Sequence, residues 1–157
     1  MSKTIEQYAP QLPEQTTTSK SLGGLAMGTI VQTLDGALPV EYLFAGDRLI
    51  TRAGMCKVRE ITVHTFKGHP YRIAAGALGN EAPERDLLVP PGQRVRLQGK
   101  RAEALTGTDE ALVPVEMLFN GTTVSKALDV TELRAFTLIF DKEEVLYADG
   151  LEMASTR

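Results

Sequence analysis

Gly24-Leu25-Ala26-Met27-Gly28-Thr29-Ile30-Val31-Gln32-Thr33-Leu34-Asp35-Gly36-Ala37-Leu38-Pro39-Val40-Glu41-Tyr42-Leu43-Phe44-Ala45-Gly46-Asp47-Arg48-Leu49-Ile50 is the stretch whose reading decides the fold. Ile30, Gln32 and Leu34 face one way and Val31 and Thr33 the other, which is the period of a strand. Asp35-Gly36 is expected to form the two-residue hairpin turn, because both central positions need a positive φ that Asp and Gly tolerate. A second turn at Ala45-Gly46-Asp47 leads into Arg48-Leu49-Ile50-Thr51.

Outward from this stretch the pattern continues as short β-runs closed by turns every 8 to 12 residues or so, as in an all-β domain. Val58 to Phe66 is rich in β-branched residues, Lys67-Gly68-His69-Pro70 turns it, and Tyr71 to Ala75 returns. Gly76 to Arg85 reads as a loop, Asp86 to Val89 as a short buried run stopped by Pro90-Pro91-Gly92, and Gln93 to Leu97 as an alternating strand. Gln98 to Asp109 reads as a polar connection, Ala135 to Phe140 as a strand, and Val145 to Ala148 as the last strand. Helix is confined to single turns at Pro39–Phe44 and Pro114–Phe119, with proline at a tolerated first position.

Those two turns repeat one another. Leu38-Pro39-Val40-Glu41-Tyr42-Leu43-Phe44-Ala45-Gly46 and Val113-Pro114-Val115-Glu116-Met117-Leu118-Phe119-Asn120-Gly121 agree at six of nine positions. Tyr71 to Gly76 aligns with Val145 to Gly150 in the same order, which predicts two β-rich halves related by a pseudo-twofold. Val40, Leu43, Phe44, Val115, Leu118 and Phe119 are then the expected plugs of the two halves. The domain is expected over residues 22–154, with 1–21 a polar, flexible leader and 155–157 a tail.

Composition narrows the function. The chain has 157 residues, 43% of them apolar and 24% charged, with a net charge of -3. That balance argues against a nucleic-acid partner, which calls for a basic surface, and Arg94 to Arg101 reads as a solvated strand edge. One cysteine, Cys56, and two histidines, His64 and His69, leave no disulfide, no thiolate zinc site and no histidine-rich metal site. No cofactor is expected. No apolar run is long enough to cross a bilayer and the N-terminus lacks a signal-peptide core. A cytoplasmic protein is expected, or one exported without a cleaved signal.

The motifs in order resemble the Hint (hedgehog/intein) superfamily, in particular its bacterial Hint-type domains. The resemblance rests on Gly28-Thr29-Ile30, Thr33-Leu34-Asp35-Gly36, Pro39-Val40-Glu41-Tyr42-Leu43 and Gly46-Asp47. It continues through Ala75 to Gly79, Asp86-Leu87-Leu88-Val89, Pro91, Arg94 and Val95, then Leu112-Val113-Pro114, Asn120-Gly121-Thr122 and Ala148-Asp149-Gly150-Leu151. It implies a compact all-β Hint-like fold and an autoprocessing chemistry. In that chemistry a Cys or Ser attacks the carbonyl before it, and a histidine gives a proton to the departing amide nitrogen.

The family's nucleophile falls at Gly24, which has no side chain. Its Thr/Ser-Pro-x-His segment is Pro90-Pro91-Gly92-Gln93 here, so the hydroxyl is lost at Pro90 and the histidine is Gln93. A carboxamide hydrogen-bonds but does not shuttle a proton near neutral pH. The two further histidines of the late strands are replaced by Thr137 and Glu143. These losses predict a degenerate domain that keeps the fold and serves as a protein-binding or scaffolding module, its partner unread. Two alternatives remain at this point: self-processing with non-standard residues, and a β-module binding a small molecule or peptide. Cys56 and Ser21 are the substitute nucleophiles to consider. His64 and His69 read as structural, and Asp86, Asp141, Glu143 and Glu144 as water-facing or strand-opening carboxylates.

Overall fold

A computed structural model describes residues 23–79 and 81–155; the expected leader and the Ser21 candidate lie outside them. The hairpin that opens the fold pairs β2 (Ile30–Thr33) with β3 (Gly36–Pro39). Val31 and Thr33 are buried and Gln32 and Leu34 exposed, as the alternation requires. Thr33 lies opposite Gly36, so the turn residues are Leu34 and Asp35 and not Asp35-Gly36. The positive φ, +115°, falls on Gly36 alone. Thr33 makes this possible: its Oγ1 donates to Gly36 O at 2.6 Å and accepts Asp35 N–H at 3.1 Å. A second hairpin, from β4 (Arg48–Thr51) to β5 (Gly54–Lys57), uses the same device through Thr51 Oγ1 and Gly54.

The remaining strands are β1 (Leu25–Ala26), β6 (Glu60–Lys67), β7 (Tyr71–Ile73), β8 (Leu87–Val89), β9 (Arg94–Gln98), β10 (Glu110–Pro114), β11 (Val124–Lys126), β12 (Glu132–Ile139), β13 (Val145–Ala148) and β14 (Leu151–Ala154). They form three antiparallel sheets, ordered β1-β12-β6, β10-β9-β14-β13-β2-β4-β5 with β3 on β2, and β11-β7-β8. Strand β6 pairs with β12 along its full length, β7–β8 matches β13–β14, and β11 on β7 matches β4 on β13. The aligned segments at Tyr71 and Val145 each begin a strand, β7 in the three-stranded sheet with β8 and β13 in the largest sheet.

Val40, Leu43, Val115 and Leu118 are buried in one continuous core. Phe44 and Phe119 are not: they are 74% and 54% exposed. The repeat folds as short 3-10 turns, Val40–Tyr42 and Val115–Leu118, and each turn has one inward side, already filled by the valine and leucine. Proline caps each turn from outside, at Pro39 and Pro114, with φ -62° and -60°.

Several elements differ from expectation. The supposed polar connection contains helix α1 (Lys100–Thr106), closed by Gly107 at φ +83°. The last strand is β14, not β13, and it supplies buried Leu151, Met153 and Ala154. The basic run does not form an edge, since β9 lies between β10 and β14. Arg96 there is held by Glu110 at 2.7 Å and Glu152 at 3.0 Å, because a guanidinium with little solvent access needs carboxylates on both sides. No helix among the described residues is long and apolar enough to cross a membrane.

Candidate functional site

The Pro90-Pro91-Gly92-Gln93 turn, closed by Gln93 N–H donating to Pro90 O at 3.1 Å, delivers one side chain into the body of the protein. Gln93 is 4% exposed. Its Oε1 accepts Gly24 N–H at 2.7 Å, and its Nε2 donates to Ala154 O at 2.7 Å and to Arg94 O at 3.0 Å. The partners themselves fix the amide's orientation, because a backbone N–H only donates and the two carbonyls only accept. One carboxamide thus ties the start of the domain to the end of its last strand.

Gly24 immediately precedes β1, which pairs with β12, and has φ +115°. A Cβ placed there would lie 3.3 Å from Ala135 Cβ and Phe136 O and 3.4 Å from Thr137 Oγ1. At Gly23 a Cβ would meet Gln93 Oε1 at 2.7 Å. The paired glycines let the backbone come this close, and any side chain at Gly24 would be strained by the positive φ as well as crowded.

Of the five positions singled out in the sequence, Gly24, Gln93 and Thr137 meet at one place and Pro90 begins the turn that positions Gln93. Glu143 turns to Arg94, at 2.9 Å. Glu144 is buried rather than water-facing; its N–H donates to Ser155 Oγ at 2.8 Å, and its carbonyl accepts Ser155 N–H at 2.7 Å. Glu143 and Glu144 thus depart from the expected solvated turn because β13 and the residue after β14 close on them. Ala154 and Ser155 went unread as site neighbours because β14 itself did. The polar side chains that meet Gly24, the Gln93 carboxamide and the Thr137 hydroxyl, do not titrate near neutral pH.

The other candidates stand apart. Cys56 is half-buried, with Sγ 3.4 Å from Thr51 Oγ1. His69 Nδ1–H donates to Val130 O at 2.6 Å. His64 Nε2 is buried without a hydrogen-bond partner among the described residues, and burial holds its pKa below the ordinary imidazole value. Asp86 accepts Ala75 N–H, and Asp141 accepts both arms of the Arg59 fork at 2.6 and 3.0 Å. Reading the residues did not find Asp149 as a polar node: its buried carboxylate accepts Ile30 N–H and Arg85 Nε–H, each at 3.1 Å. Among the described residues no cluster of three His, Cys, Asp or Glu is placed to hold a metal.

A cleft of about 460 Å³ is lined in part by Arg52, Arg96, Glu110, Lys142 and, of the five positions, Glu143. Neither Gly24 nor Gln93 lines it.

An antiparallel β-fold whose opening residue Gly24 and last strand β14 are joined at one buried side chain is of the hedgehog/intein type. The Hint domain family model matches residues 24–157, and the chain belongs to that family. The solution structure of a bacterial intein-like domain from Clostridium thermocellum is similar, with 13% identity, a TM-score of 0.58, and 87% of this chain and 100% of that chain covered. The gp41-1 intein (14% identity, TM-score 0.54, 85% and 98% covered) and the MchDnaB-1 intein (12%, 0.56, 84% and 99%) are similar to comparable extent. At these identities the likeness is one of fold. No curated protein matches the sequence.

Proposed function

We propose that this Hint domain has kept the fold and given up self-cleavage, and that it acts as a non-catalytic protein-binding or scaffolding module. The hydrogen bond from Gly24 N–H to Gln93 Oε1 carries the reading. An acyl shift at this peptide needs an attacking side chain on residue 24 and a proton delivered to its nitrogen. Gly24 offers no attacking atom. Gln93 meets that nitrogen with its Oε1, which carries no proton to deliver. The Nε2 hydrogens that a carboxamide has to offer are already engaged by two carbonyls.

The test is intact mass after long incubation at neutral pH, with and without a strong thiol or hydroxylamine. The chain is expected to stay whole. A fragment cut at Gly23-Gly24, or any thiol-dependent product, would overturn the reading. Gly24→Cys with Gln93→His then asks whether these two losses silenced the site, and the single substitutions serve as controls. A second reading, a module for a small molecule or peptide, is favoured by the cleft between Arg52, Arg96 and Lys142, away from Gln93.

A further inference from the structure

We propose that the outer edge of β5 receives an extended segment of a partner protein, with an apolar side chain opposite Met55 and a carboxylate opposite Lys57. This rests on the binding-module reading above, which requires a partner, and it names where that partner docks.

Strand β5 ends the largest sheet. Val58 N–H donates to Asp47 O at 2.8 Å, and Leu34 N–H donates to Arg48 O at 2.9 Å. Together these set the phase of the ladder: Gly54 and Cys56 bond inward to β4, while Met55 and Lys57 aim N–H and C=O away from it. Arg59, next on that side, gives its N–H to Ile139 O at 2.7 Å. Met55 and Lys57 have no backbone partner on that side among the described residues. They are spaced as one repeat of an antiparallel ladder, so an added strand would find its donors and acceptors in place.

The side chains supply the chemistry. Met55 lies opposite Ile50, and Lys57 opposite Arg48, on the outward face above buried Leu49. Ile50, Met55 and nearby Leu34 are exposed large apolar residues. Two cations directly opposite each other on a sheet repel, and neither Arg48 nor Lys57 forms an ion pair among the described residues. Asp141, whose carboxyl feels Lys57, is taken by the Arg59 fork. A carboxylate on an incoming strand would relieve that repulsion, while a valine or isoleucine two residues away would cover Met55. The far edge of the same sheet is protected. There β10 ends in Pro114, and Thr108 Oγ1 donates to Glu110 O at 3.0 Å. Such devices block strand addition, and β5 has only its shortness and Lys57.

The experiment uses the full chain, with a short end-blocked, dye-labelled peptide in which Val and Glu alternate with Thr. Anisotropy and amide NMR shifts are recorded, and intact mass is followed on the same sample. Binding is expected, with shifts centred on Met55 and Lys57, and about tenfold weaker for the peptide with Lys in place of Glu. Lys57→Glu should reverse that preference, and Met55→Pro should abolish binding without disturbing β4, since Met55 N–H points outward. Absent binding, or equal binding of both peptides with shifts elsewhere, overturns the proposal. So does a doubled mass in sedimentation that Met55→Pro restores to monomer, which would make the occupant a second copy. Cleavage in the mass record would instead strike the non-catalytic reading and leave the edge result standing.

Discussion

Two stretches of this protein share a backbone frame and use it differently. In the first, Thr29 N–H donates to Ala26 O at 3.0 Å and Val40 N–H to Thr29 O at 2.8 Å. In the second, Gln93 N–H donates to Pro90 O at 3.1 Å and Val115 N–H to Gln93 O at 2.9 Å. A proline-capped 3-10 turn follows each. Thr29 and Gln93 are equivalent nodes, 2% and 4% exposed. Thr29 is short and fills space, whereas Gln93 is long enough to reach Gly24 and Ala154. The frame makes a buried position, and side-chain length decides whether it only packs or also joins distant segments.

The largest effect should separate these nodes. Gln93→Ala strands Gly24 N–H and Ala154 O without their partner, and buried unsatisfied groups make the expected loss about 2–4 kcal/mol. Thr29→Ala removes little more than a methyl and a hydroxyl, for about 1 kcal/mol. Urea midpoints at constant slope measure both. Equal losses would break the comparison and make Gln93 another packing residue.

Where the frame is shared, the costs should match. Val40→Ala and Val115→Ala each leave a small cavity under a 3-10 turn and should cost about 2 kcal/mol. The double variant measures how strongly the one core that holds both valines couples them. A cost concentrated in one of the two would mean that the halves are not equally built.

The frame was legible because it is local: alternation at Ile30–Thr33 and the Pro-Val-Glu repeat both act within a few residues. Gln93 and Gly24 were found through motif order, and their contact spans 69 residues. Ala154 stayed hidden because Leu151–Ala154 is short and carries no β-branched residue, and β5 was missed for the same reason. Helix α1 had a readable signal, Lys-Arg-Ala-Glu-Ala-Leu between Gly99 and Gly107, in which helix formers precede a C-terminal glycine. Asp149 could not be weighed from its neighbours, since Ile30 lies 119 residues away and Arg85 lies 64.

His64 gives a sharper contrast with Gln93, because it buries a ring nitrogen with no partner. Burial lowers its pKa in the folded chain, so the unfolded chain binds the proton more readily. Its contribution is whole above about pH 6.5 and is lost as pH falls below that value. Tm should therefore drop between about pH 6.5 and 5. His64→Leu should flatten that part of the profile and leave Tm at pH 8 unchanged or higher. A profile that His64→Leu does not alter would place the acid sensitivity in another group.

The smallest effect tests the repeat at its outer residue. Phe44 and Phe119 occupy the same position of the motif, yet among the described residues only Phe119 meets another ring, Tyr71, edge-on at 6.2 Å and 78°. Phe44→Ala should change stability by less than about 0.5 kcal/mol, as an exposed substitution does. Phe119→Ala gives up the edge-to-face contact and should cost about 1 kcal/mol. A double-mutant cycle with Tyr71→Leu isolates that contact, and the extra cost should vanish when the tyrosine is already gone. If Phe44→Ala proves the costlier change, its exposed ring is covered in solution by something the described residues do not include, and the two turns differ in what they bind rather than in how they pack.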